Sequence, residues 1–137
     1  MEESRKILIV VDSEESTQKL ATAIASVIIP PSFDDHSVSI LKSETFYGTD
    51  ILPAHAFFLG CGLPSPLSFT YIEVLFERIN LAGRPCGIFS SNAKALRYLS
   101  RMMRDSEASV GKPLLVKSDI DEGKLGEWVA SVLKTRR

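Results

Sequence analysis

No glycine occurs before Gly48, and no stretch approaches the roughly 20 consecutive apolar residues that a membrane helix needs. The first absence matters because a turn that wraps closely round a phosphate commonly relies on glycine backbone. The second, with a polar MEESRK opening and no apolar signal segment after it, gives the cytoplasm as the expected compartment. Histidine and cysteine are scarce, two of each. His36 and His55 read as separate loop residues without ligand spacing, so no metal site is expected. Cys61 and Cys86 read as opposite ends of neighbouring strands, which at about 3.3 Å per residue sets them roughly 10–15 Å apart, too far for a disulfide. Excess charge is also missing: 16 basic against 17 acidic residues leave a net charge of −1. That gives no general pull toward nucleic acid or an anionic membrane, and neither is expected as a partner. No Ser-His or Cys-His constellation can be brought together from the sequence order, so no catalytic residue is assigned.

What is present is a regular alternation of strands and helices. A chain of 137 residues, 45% apolar, suits one core and a single domain over 1–137. Ile7 to Val11 reads as a first strand, apolar on both faces as an interior parallel strand should be. Asp12 or Ser13 starts a turn into a helix from about Ser16, with Leu20, Ala23, Ile24, Val27 and Ile28 at helical spacing and Pro30-Pro31 as its stop. Ser37 to Leu41 alternates and reads as an edge strand. Thr49 or Asp50 can cap one helical turn through Ile51-Leu52, kept short by Pro53. Ala56 to Leu59, running into Gly60-Cys61-Gly62, is the third strand, and these glycines with Pro64 and Pro66 predict a loop of unusual backbone angles.

The third crossover helix starts near Ser68 with a stripe of Phe69, Ile72, Leu75, Phe76 and Ile79, and Gly83 suits its end. Pro85 to Phe89 is the fourth strand. Ser90-Ser91-Asn92 supplies an N-cap for a helix burying Ala95, Leu96, Leu99, Met102 and Met103. Pro113 to Val116 is the fifth strand. Asp121 or Ser118 caps a last helix with Leu125, Trp128, Val129, Val132 and Leu133 inward. The expected fold is therefore α/β: a three-layer sandwich whose five-stranded parallel sheet has order 2-1-3-4-5 and right-handed crossovers.

Three segments carry a resemblance to a known family. DSEESTQKLA lies where short-chain flavodoxins have a phosphate loop, a Ser/Thr-x-Thr-Gly-Asn-Thr pattern leading into a helix. DILPAHAFFLGCGLP resembles their third strand and first isoalloxazine loop, and LAGRPCGIFSSN their fourth strand and second flavin loop. The resemblance covers nearly the whole chain and implies a flavodoxin-like fold with FMN at the strand carboxyl ends. It places the cofactor against Ser13, Glu14, Glu15, Ser16 and Thr17, against Gly60, Cys61 and Gly62, and against Ser90, Ser91 and Asn92.

The phosphate pattern is altered. Ser13 is paired with its first position, Glu14 stands where the family has Thr, Glu15 where it has Gly, Ser16 where it has Asn, and Thr17 at the end. A phosphate turn needs donors, whereas at about 5 Å and an effective dielectric of about 20 each carboxylate repels a unit anionic charge by about 3 kcal/mol. Glu14 and Glu15 also suit a helix amino terminus, and Asp12 with Glu15 has capping-box spacing. In that reading the turn's own carboxylates occupy the anion position. Phe69 and Tyr71 are the aromatic candidates beside the first ring loop, with Phe69 on the core stripe, and the second loop has none. Cys61 is the one reactive-looking thiol, and burial as a small hydrophobe is the favoured reading. Response-regulator receivers share the strand order, and Asp12, Ser90 and Lys117 match their pattern. The third strand ends in Gly60-Cys61 without a carboxylate to phosphorylate, which argues against an active receiver.

Two readings follow: a flavodoxin-like module with an altered FMN site that works by binding a partner, or an FMN-holding electron carrier. Lys94, Arg97, Arg101 and Arg104 fall on one face of the helix after strand 4, a candidate surface for a protein partner, and Lys134, Arg136 and Arg137 add a basic tail.

Overall fold

The computed structural model describes residues 5–28, 36–47, 54–64, 66–78, 81, 83–104, 106, 108–117 and 119–134. The chain runs β1 (Arg5–Val11), α1 (Glu15–Ile28), β2 (His36–Lys42) and β3 (Ala56–Gly60). A 3-10 turn (Leu67–Phe69) leads into α2 (Thr70–Arg78), then β4 (Pro85–Ser90), α3 (Ala93–Met103), β5 (Ser109–Val110), β6 (Leu114–Leu115) and α4 (Glu122–Lys134). All pairings are parallel, in the order β2-β1-β3-β4-β5, with β6 also on β4.

The sheet explains the apolar strands. Successive side chains point to opposite faces, and both faces are covered. Leu8, Val10, Phe57, Leu59 and Ile88 pack with Ile72 and Phe76 of α2 and Leu96 and Leu99 of α3. Ile7, Ile9, Val11, Phe58 and Phe89 pack on the other side with Leu20 and Ile24 of α1 and Trp128, Val129 and Val132 of α4. Each such side chain, fully buried, contributes about 1.5–3 kcal/mol. The Phe58 and Trp128 rings sit 5.5 Å apart and tilted, joining β3 to α4. β2, paired only through β1, leaves Ser37, Ser39 and Ile40 exposed, as an edge strand does. His36 opens that strand rather than lying in a loop.

Three expectations need correction. The outer strand is longer and broken: Cys86 pairs with Val110 and Phe89 with Leu114, so three steps on β4 face four on its neighbour. The extra residue falls in Gly111-Lys112-Pro113, a bulge in which the proline has no N–H to pair. The indole of Trp128 donates to the Lys112 carbonyl at 2.6 Å and fixes it. Second, the third crossover helix begins as a 3-10 turn, with α-helix only from Thr70. Third, Gly60 and Gly62 have no positive φ; among the described glycines that is Gly83, at 78°, in a turn closed by the Arg84 N–H on the Leu81 carbonyl. The expected stop at Pro30-Pro31, the helical turn at Thr49, Asp50, Ile51, Leu52 and Pro53, Ile79, the Ser118 cap and Arg136-Arg137 lie outside the described residues, as does the Lys134 side chain.

The register aligns the carboxyl ends. Val11 faces Lys42 and Gly60, and Gly60 faces Phe89, so the turns after β1, β3 and β4 leave from one rim.

Candidate functional site

The rim is built around one residue, Gly62. Asp12, immediately after β1, is 3% exposed. Its Oδ2 accepts the Gly62 N–H at 2.9 Å, and its Oδ1 accepts the Glu14 N–H at 3.3 Å. From the other side, Asn92 Nδ2 donates to the Gly62 carbonyl at 3.4 Å. Ser90, fully buried, donates to the Cys61 carbonyl at 2.6 Å and accepts the Asn92 N–H at 2.9 Å. The Ser16 and Ser91 hydroxyls lie 3.0 Å apart and join the first and third turns directly. Ser16, Gly62, Ser90, Ser91 and Asn92 are thus gathered at one place by the chain's own hydrogen bonds.

The helix ends show why. Asn92 caps α3 by accepting the Lys94 and Ala95 N–H groups at 2.8 and 3.4 Å, within the expected cap of Ser90-Ser91-Asn92. Asp121, one of the two residues expected to cap the last helix, accepts the Lys124 N–H at 3.1 Å. α1 differs. Its first helical bond runs from the Gln18 N–H to the Glu14 carbonyl, so Glu14 is at the cap position and Glu15 is the first helical residue. Asp12 therefore lies two residues before the cap position, and Glu15 is the first helical residue rather than the third, so the two form no capping box, and that expectation is corrected. Glu15 reaches Lys19 at 3.9 Å instead, an exposed pair of little energetic weight. The pairing of Ser13 with the start of the phosphate pattern is corrected too. Counting back from Thr17, the six-position pattern opens at Asp12, the residue whose side chain turns inward while Ser13 is exposed. The carboxylate at the centre of the turn is that of Asp12; Glu14 and Glu15 are exposed.

Thr17 is fully buried, and among the described residues its Oγ1 has no hydrogen-bond partner. Gly62 lies directly over it: a Cβ there would come within 3.0 Å of Thr17 Oγ1 and 2.9 Å of Glu14 Cβ and Cγ. Gly60 is packed as tightly, since a Cβ there would sit 2.3 Å from the Phe89 ring. Both glycines answer a need for close approach rather than for unusual dihedrals. Burial, reinforced by the Asp12 charge, pushes the Cys61 thiol up to about 12. Burial likewise raises Cys86, and both cysteines are free. A thiol so far from ionising is a poor nucleophile, so Cys61 is a packing residue. Phe69 is core, edge-on to Tyr98 at 6.3 Å, whereas Tyr71 is exposed on α2 against Phe46. The carboxyl end of β3 carries no acid, and Lys117 is exposed.

Most of these residues are recognisable in the sequence; Asp12 starts the turn as expected, and its bond to Gly62 is the part not expected. The available signal was its position, an aspartate directly after the apolar run Ile7 to Val11. Among the described residues no cluster of His, Cys, Asp or Glu could hold a metal ion, and no helix is long and apolar enough to cross a membrane.

No family model and no curated protein matches the chain. Solved structures do. A short-chain flavodoxin associated with a non-canonical PDU bacterial microcompartment is similar at TM-score 0.79 and 11% identity, over 96% of this chain and 98% of that one. The flavodoxin of Streptococcus pneumonia TIGR4 follows at 0.76 and 14%, over 94% and 97%. Flavodoxin 2 from Bacillus cereus follows at 0.74 and 21%, over 93% and 97%. At these identities the likeness is one of architecture, and across nearly its whole length the chain has the flavodoxin-like fold.

Proposed function

We propose that this protein is a flavodoxin-like binding module whose FMN site is closed, acting in the cytoplasm through contact with a partner rather than by carrying flavin. One observation carries the reading: the Asp12 carboxylate takes the Glu14 and Gly62 N–H groups at the turn where an FMN phosphate would need donors. Because Asp12 is nearly inaccessible, water does little to screen it. At about 5 Å and an effective dielectric of about 20 it would oppose each unit of phosphate charge by about 3 kcal/mol. Glu14 and Glu15, being exposed, would add less. The turn's residues therefore do not fit a phosphate. Two free, buried thiols suit a reducing compartment.

A second reading, an FMN-binding electron-transfer protein, is favoured by Thr17, whose buried hydroxyl lacks a partner and stands at the last position of the phosphate pattern. Gly62 and the Glu14 stem cover that hydroxyl, which weighs against it. An absorbance scan of the purified protein through the flavin bands, repeated after adding FMN and removing the excess, separates the two. The binding-module reading expects colourless protein both times. A retained flavin spectrum would establish the other.

A further inference from the structure

We infer that the outer face of α2 and α3 is a docking surface for an acidic protein partner. This gives the binding reading above a location and a partner class, and rests on that reading only in requiring a partner. The two helices lie side by side on one sheet face, sharing a core through Ile72, Phe76, Leu96 and Leu99. Opposite that core, α3 presents Lys94, Arg97, Arg101 and, just past its end, Arg104, all exposed. Ten residues of helix spread these cations over about 15 Å. α3 contains no acidic residue, and among the described residues none of the four cations has an ion pair.

The 3-10 turn and α2 together add the second, independent feature. Leu67, Tyr71 and Val74 follow one another at i, i+4 and i+7 and are 91%, 47% and 45% exposed. An apolar row on one helix and a cationic row on the next thus both face away from the sheet on the same layer. Glu73 of α2 is held toward α3 by the Tyr98 hydroxyl, which donates to it at 2.5 Å. Glu77 remains on the outside of α2. The opposite layer has neither feature. Among the described residues no large apolar side chain of α1 or α4 is exposed, and their outer charges alternate in sign, as in Glu15 with Lys19 and Lys124 with Glu127.

The occupant follows from this combination. Apolar side chains edged by arginine are the pattern of a protein interface, with a desolvated centre and a polar rim. A cationic edge selects carboxylates and speeds their encounter. Nucleic acid is disfavoured because the chain as a whole is not basic and Glu77 would meet the phosphates. A bilayer would have to bury that same carboxylate beside only three apolar side chains.

The test uses the full chain in its own cells. A photoreactive phenylalanine analogue at Val74 is compared with one at Lys19, on the opposite layer. The captured protein is then purified and titrated against wild type and against Arg97→Glu/Arg101→Glu. The expected result is a protein adduct from position 74 and not from 19, a captured protein with an acidic surface, and a Kd at least about tenfold weaker for the double variant. Circular dichroism checks its fold; should it be altered, Leu67→Asp supplies the same comparison. The inference is overturned by no adduct specific to position 74, by an RNA or lipid adduct there, or by equal binding of wild type and variant. None of these outcomes depends on FMN, so failure here and failure of the closed-site reading are separate results.

Discussion

The turn from β1 into α1 and the turn from β4 into α3 flank the same loop and grip the same residue, Gly62, one by its N–H and the other by its carbonyl. They differ in charge. Asp12 uses a buried carboxylate to hold the Glu14 and Gly62 N–H groups, whereas Asn92 uses a neutral amide to cap its own helix and reach Gly62. An amide balances donors and acceptors without a net charge. A carboxylate at a helix amino terminus does what a bound anion would do, and by doing so removes the need for one. Two crossovers of one sheet thus reach the same closure, but only one of them does so with a buried charge.

The largest test of this difference is Asp12→Ala, which leaves two amides without their charged acceptor and should cost about 2–3 kcal/mol in urea unfolding. Asn92→Ala removes a neutral cap and should cost about 1 kcal/mol by the same measurement. Equal losses at the two positions would erase the proposed distinction. Thr17→Val keeps the shape and deletes a hydroxyl that has no partner, so it should leave stability unchanged or raise it by up to about 1 kcal/mol. A clear loss would mean that the hydroxyl is bonded. Ser91→Ala breaks only the exposed bridge to Ser16 and should stay within about 0.5 kcal/mol.

The pH dependence supplies a separate check on the same rim. Cys61 ionises near 9.0 ordinarily and near 12 when folded. Between those values the unfolded chain gives up a proton that the folded chain keeps, so stability should fall as pH rises above about 9. Cys86, raised by burial, and Tyr98, raised by burial and its bond to Glu73, add in the same direction. Cys61→Ala, measured against wild type at pH 7 and pH 10, should reduce the slope of that fall.

Much of the fold is legible in local sequence. Ile7 to Val11 announces a strand covered on both faces, the stripes of α1 and α4 announce what they bury, and Asn92 sits where a cap is needed. The outer strand is less legible: Pro113 reads as the start of the fifth strand, and only pairing with β4 shows Gly111-Lys112-Pro113 as a bulge between two short pieces. The rim is the least legible part. Asp12 and Gly62 are fifty positions apart, and nothing near either residue announces their bond. The two rim glycines mislead for a related reason: the atoms that exclude a side chain, the Phe89 ring and the Glu14 stem, come from other elements.

The central claim is that Asp12 fills the anion position of the crevice. Its most direct test is a flavin-fluorescence titration of FMN against wild type and against a variant carrying Asp12→Ser, Glu14→Thr and Glu15→Gly. The account predicts no quenching with wild type at micromolar protein and a measurable gain with the variant. Saturable quenching by the wild-type protein would contradict it.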